Sequence, residues 1–138
     1  MLKRMRVRTQ PRNKPYRAPH LDTWLSLEVV LALESVAEEL GVSEVARSER
    51  GFVRAYEQAK GDPEVLKHML VPGKNISWWE ERNGFVNRHA KQMELGRENL
   101  WKDSTDGFPD PERRHSALTM WAYSPDMKGI AQWMKENA

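Results

Sequence analysis

The helical spacing of apolar residues after residue 20 most constrains what this 138-residue chain can fold into. Its clearest stretch ends before Gly41, where apolar side chains recur at intervals of three and four, as on one face of a helix. These side chains are Leu25, Val29, Leu33, Val36 and Leu40. Further apolar residues widen this face, which is typical of a helix at the centre of a fold. The pattern predicts a first helix that starts at Asp22 or Thr23 and ends before Gly41.

Similar patterns, bounded by capping residues, glycines and prolines, predict the remaining helices. These segments run from Ser43 toward Lys60, from Asp62 to Leu70, from Ser77 to about Gly96, from Asp110 to Ser124 and from Asp126 to about Glu136. The span from Arg97 to Asp110 is a loop by composition. Because alternating strand patterns and internal repeats are missing, we predict a single compact all-α domain of five to six helices over residues 21–138. The chain has no cysteine, which excludes disulfides and thiolate-zinc sites.

The charge of the chain is divided unevenly between its start and the rest. Residues 1–20 contain seven basic residues and no acidic one: Lys3, Arg4, Arg6, Arg8, Arg12, Lys14 and Arg17. Of the 22 basic residues, 15 therefore remain in residues 21–138, against all 20 acidic residues. The first segment is also poor in apolar residues and contains three prolines, so we predict a disordered basic arm over residues 1–20. An arm of this kind suits a polyanion such as DNA or RNA.

The segment from residue 33 to about 53 resembles the helix-turn-helix of bacterial DNA-binding proteins. Ala37 would let two helices approach closely, Gly41 would adopt the left-handed turn, and Ser43 would cap the second helix. The resemblance implies a DNA-reading helix that begins at Ser43. In a second frame, residues 43–50 form the first helix and the second begins at Phe52. A structural helical corner without DNA contact is the alternative to both frames.

Three arginines would share one face of this reading helix, at spacings of three and four: Arg47, Arg50 and Arg54. Such a face could contact phosphates or base edges. Alternatively, the arginines solvate the helix or pair with neighbouring acids, namely Glu44, Glu49 and Glu57.

Two Arg-His steps are candidates for a catalytic site. His89 follows Arg88, and His115 follows Arg113 and Arg114, so the two histidines could converge on a phosphate as acid and base. Nothing in the spacing requires that they meet, and half-buried structural histidines are the alternative. The aspartates near residue 106 fail as a calcium loop because Lys102 would take the first ligand position. We expect neither a metal nor a cofactor.

The residues between Trp78 and Pro125 also resemble small proteins of phage and bacterial genomes. Taken with the arm, this resemblance implies a small accessory protein that binds DNA or RNA mainly through the arm. The alternative is a helical interaction or assembly module whose arm binds an acidic protein partner, with self-association possible. A metal-independent enzyme built around His89 and His115 is a third reading. No apolar run is long enough to span a bilayer, so we expect no membrane partner and a cytoplasmic location.

Overall fold

The apolar spacing of the sequence produces helices over most of the chain that the structure describes. A computed structural model describes residues 16–95, 100–102 and 109–138. In chain order, the elements are α1 (Leu27–Leu40), α2 (Phe52–Gln58), α3 (Pro63–Leu66), α4 (Trp78–Leu95), β1 (Trp101–Lys102), β2 (Asp110–Pro111), α5 (Arg113–Thr119) and α6 (Met127–Glu136). The predicted compact helical domain is confirmed, with a small antiparallel ladder of β1 and β2 in addition.

Helix α1 is central, as its wide apolar face predicts. Val30 and Leu33 are fully buried, and α1 packs against both α2 and α5. The helix begins later than predicted because Ser26 caps it by accepting a hydrogen bond from the backbone of Val29. Just before the cap, the backbone N–H of Leu25 donates to Ala122 instead of starting a helix. Gly41 ends α1 in the left-handed conformation (φ 69°, ψ 34°), as expected for this turn.

The prediction of a helix that starts at Ser43 is wrong for the residues before Phe52. Residues 44–50 form turns with a bend at Ser48, and Ser43 itself has a positive φ of 56°, which is incompatible with an N-cap in extended conformation. Helix α2 starts only at Phe52, after the chain folds back at Gly51. A Cβ on Gly51 would lie 2.1 Å from the carbonyl oxygen of Val45, so this close approach requires glycine.

Local capping signals set the starts of α3 and α4 correctly. Asp62 accepts a hydrogen bond from the backbone of Glu64 at the start of α3. The predicted capping box of α4 is present, since the Ser77 hydroxyl accepts from the backbone of Glu80 and the Glu80 carboxylate from that of Ser77. Helix α3 ends at Leu66, earlier than the predicted Leu70.

The cap predicted at Asp110 and Pro111 is wrong, because these residues form β2. Asp110 pairs with Lys102 and Pro111 with Trp101 in the ladder. Glu112 caps α5 instead, and its carboxylate accepts a hydrogen bond from the backbone of His115. Among the described residues, no helix is both long and apolar enough to cross a lipid bilayer.

Candidate nucleic-acid interface

The described end of the basic segment is packed against the helical body. Ala18 is 2% exposed, and its backbone N–H donates to the side-chain oxygen of Asn87 on α4 at 2.8 Å. The hydroxyl of Tyr123 donates to the carbonyl oxygen of Pro19. Residues 16–20, which the sequence pattern places in the arm, are therefore attached to the body at Ala18 and Pro19. The other basic residues of the arm lie outside the described residues: Lys3, Arg4, Arg6, Arg8, Arg12 and Lys14.

Arg17 is the one basic residue of the predicted arm that lies within the described residues. Its side chain is 63% exposed and forms an ion pair with Asp22, whose side chain is 74% exposed. An ion pair this exposed adds little stability. Replacing Asp22 by a phosphate as the partner of Arg17 would therefore cost little free energy.

The outer face of α4 carries positive charge next to this segment. Arg88 and Lys91 are exposed, and Lys91 Nζ lies 5.9 Å from the ring centroid of Tyr16. From Arg82 to Met93 the helix contains no acidic residue. We call Arg88 and Lys91 the α4 strip. The basic segment thus enters the body beside a strip of the same charge.

Arg82 fixes this arrangement from inside the protein. Its guanidinium is fully buried, and it donates to the carbonyl oxygens of Trp121 (2.9 Å), Ala122 (2.8 Å) and Leu21. The guanidinium carbon also lies 3.9 Å from the ring centroid of Trp24. Desolvation lowers the pKa of Arg82 to about 10, so the side chain still carries its charge at neutral pH. Arg82 thereby holds the segment at Leu21 against α4.

Sequence reasoning missed Arg82, although a signal was present. Arg82 precedes Val86 by four positions and Ala90 by eight, so it lies on the apolar face of α4. A charged residue on such a face must find buried partners, and backbone carbonyls supply them here.

The predicted arginine face is wrong because two of its members lie in the turns before α2. Arg47 Nε donates to the carbonyl oxygen of Val42 at 2.9 Å. Arg50 lines a small cavity of about 160 Å³. Only Arg54 is helical, and it pairs with Glu34 at 2.7 Å and with Glu57 at 2.9 Å. The alternative pairing with Glu57 is the one observed, and the three arginines do not lie on one helix.

His115 is a structural residue in the interior. It is fully buried, and its Nδ1–H donates to the carbonyl oxygen of Leu100 at 3.0 Å. Nε2 must then accept from the hydroxyl of Ser124, 2.6 Å away, which is also fully buried. Burial lowers the pKa of His115 to about 4, so the ring is neutral at pH 7.

His89 has different neighbours and a half-buried position. Its Nδ1–H donates to the carbonyl oxygen of Phe85 at 2.9 Å, and the two rings stack with centroids 4.0 Å apart. Three surface cavities between described residues are lined by other side chains than these two histidines. The contacts of His89 and His115 therefore give no support for a shared catalytic centre.

Neither a metal site among the described residues nor a similar known protein points to a function. Within residues 16–95, 100–102 and 109–138, no three His, Asp or Glu side chains are grouped so as to hold a metal ion. Comparison of the chain with models of known protein families gives no match. Comparison with curated proteins gives no significantly similar sequence. The chemistry of the described surface and of the sequence is therefore the basis for proposing a function.

Proposed function

We propose that this is a small accessory protein that binds nucleic acid, with the basic arm and the α4 strip acting together on the phosphates. One observation carries the proposal. Ala18, at the root of the arm, is bonded to Asn87, next to the exposed Arg88. The arm therefore joins the body at the part of the surface that also carries the positive charge of α4.

The energetics of this surface favour binding to the backbone without base reading. Each phosphate that meets a Lys or Arg side chain releases counterions, so affinity depends on the number of contacts and on salt. The reading helix expected at Ser43 does not form, and Arg54 is engaged by Glu34 and Glu57. Direct readout in a groove needs such a helix or a ribbon. The proposal therefore predicts little sequence preference.

The test is the affinity for DNA and RNA oligonucleotides across a salt series, measured by fluorescence anisotropy. For the full chain on duplex DNA, the slope of log affinity against log salt should be on the order of −4 to −6 if most of the arm charges meet phosphates. Removing residues 1–15 deletes six basic residues and should flatten that slope strongly. The truncation keeps Ala18, Pro19 and Leu21, so the body should stay folded.

A charge-matched pair of double variants tests the α4 strip. Arg88→Gln with Lys91→Gln should weaken binding, whereas Lys128→Gln with Lys135→Gln, which removes the same charge from α6, should not. Unchanged affinity after loss of residues 1–15 would reject the proposal. In that case an acidic protein partner would become the better explanation of the arm.

A further inference from the structure

Three stacked rings lead from the core of the protein to the surface of α4, and we call them the ring ladder: Trp121, Phe85 and His89. Trp121, 8% exposed, stacks on Phe85 with ring centroids 4.5 Å apart and an interplanar angle of 15°. Phe85 stacks in turn on His89 at 4.0 Å and 18°. Phe85 and His89 are only half-buried, so the ring ladder ends at the surface. The residue next to that end is Arg88.

The imidazole at the end of the ring ladder is held in place. Its Nδ1–H donates to the carbonyl oxygen of Phe85, while its ring lies against the Phe85 ring. A planar group that stacked on His89 would therefore lose little of its binding energy to ordering this side chain.

We propose that His89 is a stacking position for an unpaired nucleobase, and that the interface takes single-stranded nucleic acid in preference to duplex. This inference rests on the proposed function. A base in a single strand can present its face to an aromatic ring, while cations nearby track the phosphates. Arg88 directly precedes His89 and is exposed, whereas Lys91, two positions after His89, projects from the opposite side of α4. His89 and Arg88 thus supply the required combination of ring and charge.

The dimensions and charge of the surface also favour one strand over two. The α4 strip is at most one helix wide, about 10–12 Å with side chains. Residues 21–138 as a whole contain more acidic than basic residues. A second strand of phosphates would extend past the strip toward this acidic remainder, where like charges repel it.

The experiment compares affinity for a single-stranded oligonucleotide and for its duplex in matched salt. The full chain should bind the single strand more tightly. His89→Ala should weaken single-strand binding by about five-fold or more, the loss of one stacked base, and leave duplex binding unchanged. His89→Phe keeps an aromatic ring and should retain the affinity. His68→Ala, at an exposed position after α3, is the control substitution.

Salt separates stacking from charge in the same assay. The difference between the full chain and His89→Ala should persist at high salt, because stacking does not depend on counterion release, whereas the contribution of the arm should vanish. Equal affinities for single strand and duplex, or equal losses for His89→Ala and His89→Phe, would overturn the stacking position while arm-dependent binding remained. Absence of binding to every oligonucleotide would instead reject the proposed function, and this inference with it.

Discussion

Acid should destabilise the folded protein through His115, the imidazole enclosed between Leu100 and Ser124. Burial lowers its pKa from 6.5 to about 4 in the folded protein. In the unfolded chain, the pKa stays near its ordinary value of about 6.5. Between these values the unfolded chain binds a proton that the folded chain does not, so the free energy of unfolding falls as the pH falls. Well above pH 6.5 both states are neutral at this residue, and its contribution is constant.

The size of the effect follows from the difference between the two pKa values. It corresponds to about 3 kcal/mol of unfolding free energy, lost between about pH 6.5 and pH 4. Linkage places about 2 kcal/mol of this loss above pH 5. Small domains have only about 5–15 kcal/mol of total stability, so the change is large enough to measure.

The assay is urea unfolding at pH 7, 6 and 5, with His115→Gln compared with the unchanged chain. The substitution removes the titrating ring, and it should lower stability at pH 7 by about 1–3 kcal/mol through lost hydrogen bonds. That gap should narrow by about 2 kcal/mol at pH 5, because only the unchanged chain has an unfolded state that is stabilised by proton binding at His115. Carboxylate titration is common to both chains and cancels in the difference. His89→Gln, at a half-buried site, is the control. Parallel pH curves for the unchanged chain and His115→Gln would refute the reasoning.

Two further substitutions test the packing that positions the interface. Arg82→Lys should lower the free energy of unfolding by at least ~2 kcal/mol. The three nitrogens of the guanidinium each reach a different carbonyl oxygen, of Leu21, Trp121 and Ala122, whereas a lysine donates from a single nitrogen. An unchanged urea midpoint would contradict this role. Gly51→Ala should destabilise by about 1–3 kcal/mol in thermal unfolding, since its Cβ would lie 2.1 Å from a carbonyl oxygen. The matched Gly84→Ala, inside α4, should be neutral or stabilising, and equal effects at the two glycines would show that Gly51 is not tightly enclosed.

Local signals in the sequence predicted those parts of the fold that depend on neighbouring residues. The left-handed turn at Gly41 and the capping box of Ser77 and Glu80 form within a few residues, and both are confirmed. Asp62 followed by Pro63 caps α3 as predicted, but the same pair at Asp110 and Pro111 forms a strand. That difference depends on pairing with Trp101, which no local pattern records.

The candidate site was predictable only in its charge. The sequence shows a basic segment, but its attachment beside Arg88 depends on Ala18 meeting Asn87, 69 positions away. The prediction of an arginine face was wrong for a similar reason. At Gly51 the chain folds back against Val45, so the helix that the spacing predicts from Ser43 does not form before Phe52. Long-range contacts of this kind override local propensity.

The bonds that hold the root of the arm join residues far apart in the chain. The Tyr123 hydroxyl reaches Pro19 across 104 positions, and Arg82 needs the carbonyls of Trp121 and Ala122 to complete its enclosure. During synthesis, the segment before Leu21 therefore emerges from the ribosome long before its docking site can exist. Its bond to Tyr123 cannot form until the turn after α5 has been made, although Ala18 can already meet Asn87 on α4. We therefore expect complete docking of the root to be a late event in folding, with the slow loop closure that such distant pairings impose.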